Sequence, residues 1–523
     1  MPIDALKALM APLLIGLALS FVLEQVHLPR PRPPWQRSPA DFMIHSASWL
    51  LLYLFEFIQF GRPWLAVCLT NTIFYVLVLI NHAKFNALRE PFIYQDFDYF
   101  VDTLKHPRLY LPFFGLLKIV VCLAAVGLAL WIGLSLEYAL SQSVPLQEVK
   151  LAGLVVFLFA IAVLFVGHQY EITLRFQPND DFKQRGLVAL CWHYAWAERN
   201  ATTLADLIKH STLSSVSFAS DVRKRYDTIV VQSESFFDPR RAFSLIKPSV
   251  LSSFDQACRA SVSFGTLKVP AWGANTVRTE FSFLTGIDST QLGIDQFNPY
   301  RRLVSSELPS IAREFKKRGY RTVCIHPYPK SFYQRDKIFA LLGVDEFIDL
   351  ESFAQPLQQQ DPRQGPYVSD QALTDKILET LTRRHEQPLF IFAITMENHG
   401  PLHLEHITEM EERKWLSEPL PKNSLELAIY LRHLANADQM ILRLLSRLSK
   451  PSGTDPTPTQ LLWYGDHVPV LAKVYEQYGL PDGNTDYFYW RSDHLKTDGE
   501  LVPERRPPLQ PIHVHQLAAE LLK

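Results

Sequence analysis

Residues 227–235, DTIVVQSES, decide how the chain folds. Ile229, Val230 and Val231 make a short β-branched run without polar alternation, the pattern of a strand covered on both faces. The run stops at Ser233, Glu234 and Ser235, which sets a carboxylate just beyond a strand end. The layout recurs downstream. Residues 321–325, RTVCI, precede His326; residues 389–395, LFIFAIT, precede Glu397-Asn398-His399-Gly400; residues 461–464, LLWY, precede Gly465-Asp466-His467. Apolar residues at helical spacing occupy 308–317, 370–384 and 425–448. Strand and helix alternate, which predicts a mostly parallel sheet with helices on its faces. Such sheets bind ligands beyond the carboxyl ends of their strands, so four strand ends carrying acids or imidazoles predict one site.

Residues 270–286, PAWGANTVRTEFSFLTG, pass from a turn-forming run into an apolar helical pattern. A helix entrance has free backbone N–H groups and favours an anion. Thr276 stands at that entrance and is assigned as a nucleophile; Thr279 is the rival hydroxyl.

The 523-residue chain divides by hydropathy, and its net charge of −1 gives no sign of a nucleic-acid partner. Five scattered cysteines make neither a zinc ribbon nor a disulfide framework. Five apolar segments, 6–23, 42–59, 64–81, 119–136 and 151–166, approach the ~20 residues of a bilayer span. The second carries His45 and Glu56; Glu56 lies either near a lipid headgroup path or at the membrane interface. Residues 81–110 mix aromatic and charged side chains and read as an interfacial segment or a simple connection. The expected domains are a membrane region at 1–170, a linker with lead-in helices at 171–225, and an α/β catalytic domain at 226–523. Within the linker, FQPNDDFKQRG is expected to be a loop. A positive-inside count (Arg30, Arg32, Arg37, Lys84, Arg89, Lys105 and Arg108 in the long loops) places the soluble domain in the cytoplasm.

Glu234, Asp466 and His467 supply two carboxylates and an imidazole. That set suits one divalent cation, Mn²⁺ or Mg²⁺ by hardness, with Zn²⁺ as an alternative. A cation there lowers the pKa of the Thr276 hydroxyl and neutralises phosphoryl charge. His399 is placed to bind or protonate a phosphate oxygen. His326, Tyr333 and Arg335, in HPYPKSFYQRD, are placed to hold a phosphodiester headgroup. Singly, each has a plainer explanation: an Asp-His turn, a Ser-Glu-Ser turn, a capping Thr276 or Asn275, an Arg335–Asp336 surface pair. Jointly, at strand ends, they favour a site.

SES at 233–235, NTVRTEF at 275–281, FYQRD at 332–336, ENHGP at 397–401 and YGDH at 464–467 resemble the lipoteichoic acid synthase family of the alkaline phosphatase and sulfatase superfamily. Motif order and the preceding apolar spans match over nearly the whole chain. The resemblance implies a metal-binding glutamate at Glu234, a nucleophilic threonine at Thr276, and metal ligands at Asp466 and His467. It implies a substrate-contacting histidine at His399 and headgroup contacts at Tyr333 and Arg335. Tyr333 stands where the family has tryptophan, and Val277-Arg278 stands where small polar or acidic residues are common; both bear on donor and acceptor.

The implied activity is transfer of phosphoglycerol from phosphatidylglycerol to a glycan or polymer, through a threonine-linked intermediate, with Mn²⁺ preferred. The implied location is the bacterial cytoplasmic membrane with the catalytic domain outside, which overrides the charge count. The alternatives are a phosphoethanolamine transferase, whose relatives usually carry a cysteine-rich domain, and a non-catalytic envelope-assembly protein.

Overall fold

The computed structural model describes residues 2–99, 116–200, 203–215, 225–353, 365–383, 387–449, 457–493 and 511–522. The chain forms two compact units, Met1–Asn200 and Ala201–Lys523.

Five helices of the first unit are long and apolar enough to cross a bilayer: α1 Ile3–Glu24, α2 Pro39–Phe60, α3 Pro63–Leu88, α4 Leu116–Leu136 and α5 Leu146–His168. All five expected spans are present. Ser38 caps α2 by accepting from Asp41 N, and Pro39 fits the first helical position, where no N–H is needed. At the start of α3 the Glu137 carboxylate accepts from Trp64 N (2.9 Å) and Leu65 N (2.8 Å). That anion, delivered from just beyond α4, complements the α3 dipole.

Several charged residues of this unit form pairs. His45 meets Ser20 Oγ at 2.9 Å and Glu24 Oε2 at 3.3 Å, and Arg37 Nη1 binds the same Glu24 oxygen. Lys84 pairs with Asp96 at 2.7 Å and Arg185 with Asp41 at 3.5 Å. Arg37 and Lys84, both counted in the charge rule, therefore have acidic partners. Glu56 is buried near the end of α2. In the segment expected to be interfacial, Asn81 accepts from Phe92 N (2.7 Å) and Asp96 binds Lys84, which fold the part up to residue 99 back on α3. Its remainder, with Lys105 and Arg108, lies outside the described residues.

The lead-in departs from expectation. Residues expected to be a loop form α6, Pro178–Arg185. Pro178 opens the helix, Asp180 and Asp181 occupy its first turn, and Lys183 and Arg185 its last, so every charge complements the dipole. Asp181 is buried and accepts from Tyr194 Oη at 3.0 Å, Tyr194 lying on α7, Leu187–Ala197. Residues 171–200 thus belong to the first unit, and the division at 200/201 falls inside the 171–225 stretch expected to be a linker with lead-in helices.

The second unit is built on one eight-stranded sheet of order β4-β3-β5-β1-β6-β7-β2-β8. The strands are β1 Asp227–Ser233, β2 Ser263–Lys268, β3 Arg321–Ile325, β4 Glu346–Ile348, β5 Leu389–Ile394, β6 Thr459–Gly465, β7 Thr485–Arg491 and β8 Ile512–His513. β4, β3, β5, β1 and β6 run parallel, β7 is antiparallel to both neighbours, and β8 is parallel to β2. Strand alternation splits the core. Ile229, Val231, Ile391, Leu461 and Trp463 face one layer with helix α10, Glu426–Leu448. Val230, Phe390, Phe392, Leu462 and Tyr464 face the other, with α8, Thr276–Thr285, and α11, Val514–Leu522. Between these in the chain lies α9, Asp370–Thr382.

Candidate active site

β1 and β6 are parallel neighbours with Ser233 opposite Gly465. Glu234 therefore leaves one strand beside Asp466 and His467 leaving the next, although the pairs are far apart in sequence. Gly465 is required at this crossing, since a Cβ there would lie 1.7 Å from the Phe236 carbonyl oxygen. Asp466 Oδ1 accepts from Ser235 N (2.8 Å) and His467 N (2.9 Å), which fixes the carboxylate. Thr395, at the end of β5, accepts from Glu234 N through Oγ1 at 2.8 Å.

Thr276 arrives from the other layer. Asn275 has φ 64°, a left-handed conformation that Asn tolerates, and it turns the chain into α8. Thr276 is the first helical residue, and its Oγ1 is 3.5 Å from His467 Nε2. The same Nε2 is 3.5 Å from Glu234 Oε1 and 3.4 Å from Asp466 Oδ2. Three oxygens thus surround one ring nitrogen. His467 Nδ1 faces the Val468 carbonyl at 3.1 Å, so the proton belongs on Nδ1 and the Nε2 lone pair points inward. Thr279, the rival hydroxyl, is fully buried and donates to the Asp466 carbonyl at 2.8 Å.

Glu234, Asp466 and His467 could hold a metal ion by proximity, and all three are buried. Asp466 Oδ2 is buried without a hydrogen-bond partner. Burial, then the Glu234 carboxylate, push the Asp466 carboxyl up to about 7. Burial opposes charge on His467, but the carboxylates of Asp466 and Glu234 overcome it and raise its pKa. An orphaned oxygen and two crowded buried carboxylates are the features a divalent cation removes, so the donor set fits one.

The residues assigned to the headgroup are arranged differently from expectation. Arg335 is buried, and two of its nitrogens bind Glu280, Nε to Oε1 at 3.1 Å and Nη2 to Oε2 at 2.9 Å. It is not a free cation. Its Nη1 faces His326 Nε2 at 3.4 Å, and His326 Nδ1 faces the Ile394 carbonyl at 3.2 Å. Burial and the Arg335 charge hold the His326 pKa well below its usual range. Tyr333, with φ 55°, is partly exposed and covers the Arg335 guanidinium at 5.2 Å. His399 is also partly exposed, and its Nδ1 faces the Gly400 carbonyl at 2.7 Å. Tyr333 and His399 thus remain accessible while Arg335 and His326 stand behind them.

Glu280 was missed by the sequence reading. It lies about one turn after Thr276 on the same face of α8. Tyr300 Oη donates to it at 2.6 Å. The Thr-Glu-Phe triplet at 279–281 was the available signal.

A parallel-sheet domain with a hydroxyl, two acids and an imidazole converging beyond its strand ends, in a chain that also carries five helices long and apolar enough to cross a membrane, defines a sulfatase-like class of protein. Residues 227–523 match the sulfatase family, and the chain belongs to it. It is 27% identical over 444 residues to the capsular polysaccharide biosynthesis protein RkpI of Rhizobium meliloti (strain 1021), covering 82% of this chain and 77% of that protein. It is also 27% identical over 334 residues to a second protein of that strain, named for cyclic beta-1,2-glucan modification, covering 63% and 50%. Lipooligosaccharide phosphoethanolamine transferase A (EptA) of Neisseria meningitidis, an integral membrane protein, has a similar fold. The match has a TM-score of 0.51 at 13% identity, over 97% of this chain and 94% of that one.

Proposed function

We propose that the protein transfers phosphoglycerol from phosphatidylglycerol to a cell-envelope glycan through Thr276, with its catalytic unit on the extracytoplasmic side of the cytoplasmic membrane. The observation that carries this reading is the convergence of Thr276 Oγ1, Glu234 and Asp466 on His467 Nε2. The motif resemblance supports the donor, and the names of the two Rhizobium proteins support a glycan acceptor. Five free cysteines speak against the cysteine-rich phosphoethanolamine transferases.

Glu234, Thr276, Asp466 and His467 would hold the cation. When bound, a divalent cation, Mn²⁺ preferred, lowers the pKa of the Thr276 hydroxyl and offsets phosphoryl charge. Thr276 Oγ1 attacks phosphorus; the new Oγ1–P bond forms as the P–O bond to diacylglycerol breaks. The Thr276 proton ends on the diacylglycerol hydroxyl. His399 positions a phosphoryl oxygen, and Tyr333 lines the headgroup with the Glu280–Arg335 pair as its support. In the second half, an acceptor hydroxyl attacks, the Oγ1–P bond breaks, and the acceptor proton returns to Thr276. Tethering the catalytic unit to the bilayer that carries the amphiphilic donor raises the donor's effective concentration.

Intact-mass measurement after incubating the full chain with phosphatidylglycerol tests the scheme. A glycerophosphoryl adduct on Thr276 is expected. An adduct from phosphatidylethanolamine instead would reassign the donor, and no adduct from either lipid would reject the covalent route.

A further inference from the structure

We propose that Asp288, His513 and His515 form a second metal site, for Zn²⁺, separate from the Thr276 site. It would fasten the segment after the nucleophile helix to the C-terminal helix. One ligand atom from each residue lies within 4.8 Å of the others. Two imidazoles and a carboxylate are a borderline donor set, which suits Zn²⁺ better than Mg²⁺ or Ca²⁺. Ligand bonds of ~2.0 Å in tetrahedral geometry need ligand atoms about 3.3 Å apart, and small rotations of partly exposed rings close that difference. A water completes the shell.

The side chains are gathered without being bonded to one another. Among the described residues no hydrogen bond or ion pair joins them, although the two imidazole centroids are only 5.4 Å apart. Their backbones are fixed independently. His513 ends β8 opposite Lys268 of β2, and buried Val514 then starts α11 and leaves His515 on its first turn. Asp288 is anchored by accepting from Thr290 N at 3.0 Å through Oδ1. Thr212 bridges the two strands of the clamp, its Oγ1 lying 2.9 Å from the His515 carbonyl and 3.1 Å from that of Gly286. Gly286 has φ 66° and closes α8. Ten residues of helix, roughly 14 Å, separate Thr276 from this end, so the two ions could not share ligands.

The function of such an ion is structural. It would hold the far end of the helix whose first residue is Thr276, and so limit the tilt of that helix against the sheet.

Equilibrium dialysis of the full chain in detergent against micromolar Zn²⁺ tests this, in an Asp466→Asn background that disables the Thr276 site. One bound Zn²⁺ per chain is expected there. It should be lost in His513→Ala and, separately, in His515→Gln, while the unsubstituted chain holds two. Melting curves give the second readout: Zn²⁺ should raise the midpoint of Asp466→Asn and leave that of Asp466→Asn/His513→Ala unmoved. If the Asp466→Asn chain binds no Zn²⁺, or if both histidine variants retain it, the site does not exist. Neither result bears on the Thr276 adduct.

Discussion

Two buried clusters in the catalytic unit have the same chemical make-up and opposite states. Glu234, Asp466 and His467 are two carboxylates and an imidazole; so are Glu397, Glu405 and His433. In the second cluster both ring nitrogens are matched, Nδ1 to Glu397 at 3.3 Å and Nε2 to Glu405 at 2.9 Å. Arg432 adds a bond to Glu405, and Asn436 and Asp370 N add bonds to Glu397; Asp370 Oδ1 and Arg432 Nε at its edge keep no hydrogen-bond partner, and burial and then the Glu397 carboxylate keep the Asp370 carboxyl well above its usual range. In the first, one nitrogen faces three oxygens at 3.4–3.5 Å and Asp466 Oδ2 has no partner. Residue type does not separate structure from function here. Whether charge and hydrogen bonding close among the protein's own groups does.

The largest effect falls on the open cluster. Thr276→Ala should lower transfer by about 10⁴-fold or more, the scale for losing a covalent nucleophile, with an unchanged melting midpoint. Retained activity in a donor-turnover assay would remove the nucleophile from this residue. Asp466→Asn should lower transfer about 10³-fold, yet without added metal it should melt no lower than the unsubstituted chain, since it removes a crowded carboxylate. A large fall in the metal-free midpoint would mean that the open cluster is structural after all, and the contrast would collapse.

Much of this site was legible because a parallel sheet converts distant strand ends into neighbours. DTIVVQ, RTVCI, LFIFAI and LLWY are all strands, and two of the four ends, those of β1 and β6, deliver the groups that meet around Thr276, while the β3 end delivers His326 to Arg335. The closed cluster was not legible. His433 sits mid-helix at a position where an apolar residue would also fit the spacing, and Glu405 lies in an irregular stretch. Arg335 was legible as a charge but not as a paired one. Its partner Glu280 comes from another layer, and no sequence period links the two. Strands β2, β4, β7 and β8 escaped because SFGTLK contains a glycine, two others are short, and TDYFYWR was not separated from its polar surroundings. The run of four consecutive aromatics in TDYFYWR, the kind of residue enriched in strands, was an available signal. α6 was lost to its polar composition, although Pro178 and its charge order mark a helix.

The closed cluster should yield smaller changes, in stability first. His433→Gln leaves Glu397 and Glu405 buried with less compensating charge, and a loss of about 3 kcal/mol in denaturant unfolding is expected. The loop at 397–400 would loosen with it, so transfer should fall only several-fold, through the position of His399. An unfolding free energy within 0.5 kcal/mol of the original, the ordinary range for a neutral surface change, would show that the closed network contributes nothing.

The pH dependence of the same residue isolates its charge. His433 faces Glu397 and Glu405, with Arg432 and Asp370 nearby. Burial alone would lower its pKa; the two carboxylates reverse that and raise it from 6.5 to about 9. The folded state therefore binds this proton more tightly than the unfolded chain. The resulting stabilisation is complete below pH 6.5 and is lost as pH rises through about 9. Between neutrality and pH 9 the loss should be about 2 kcal/mol. Unfolding free energies measured across that window should fall for the original chain and stay nearly level for His433→Gln. Parallel slopes in the two proteins would mean that His433 is neutral when folded, and that its carboxylates are balanced by Arg432 and Asn436 alone.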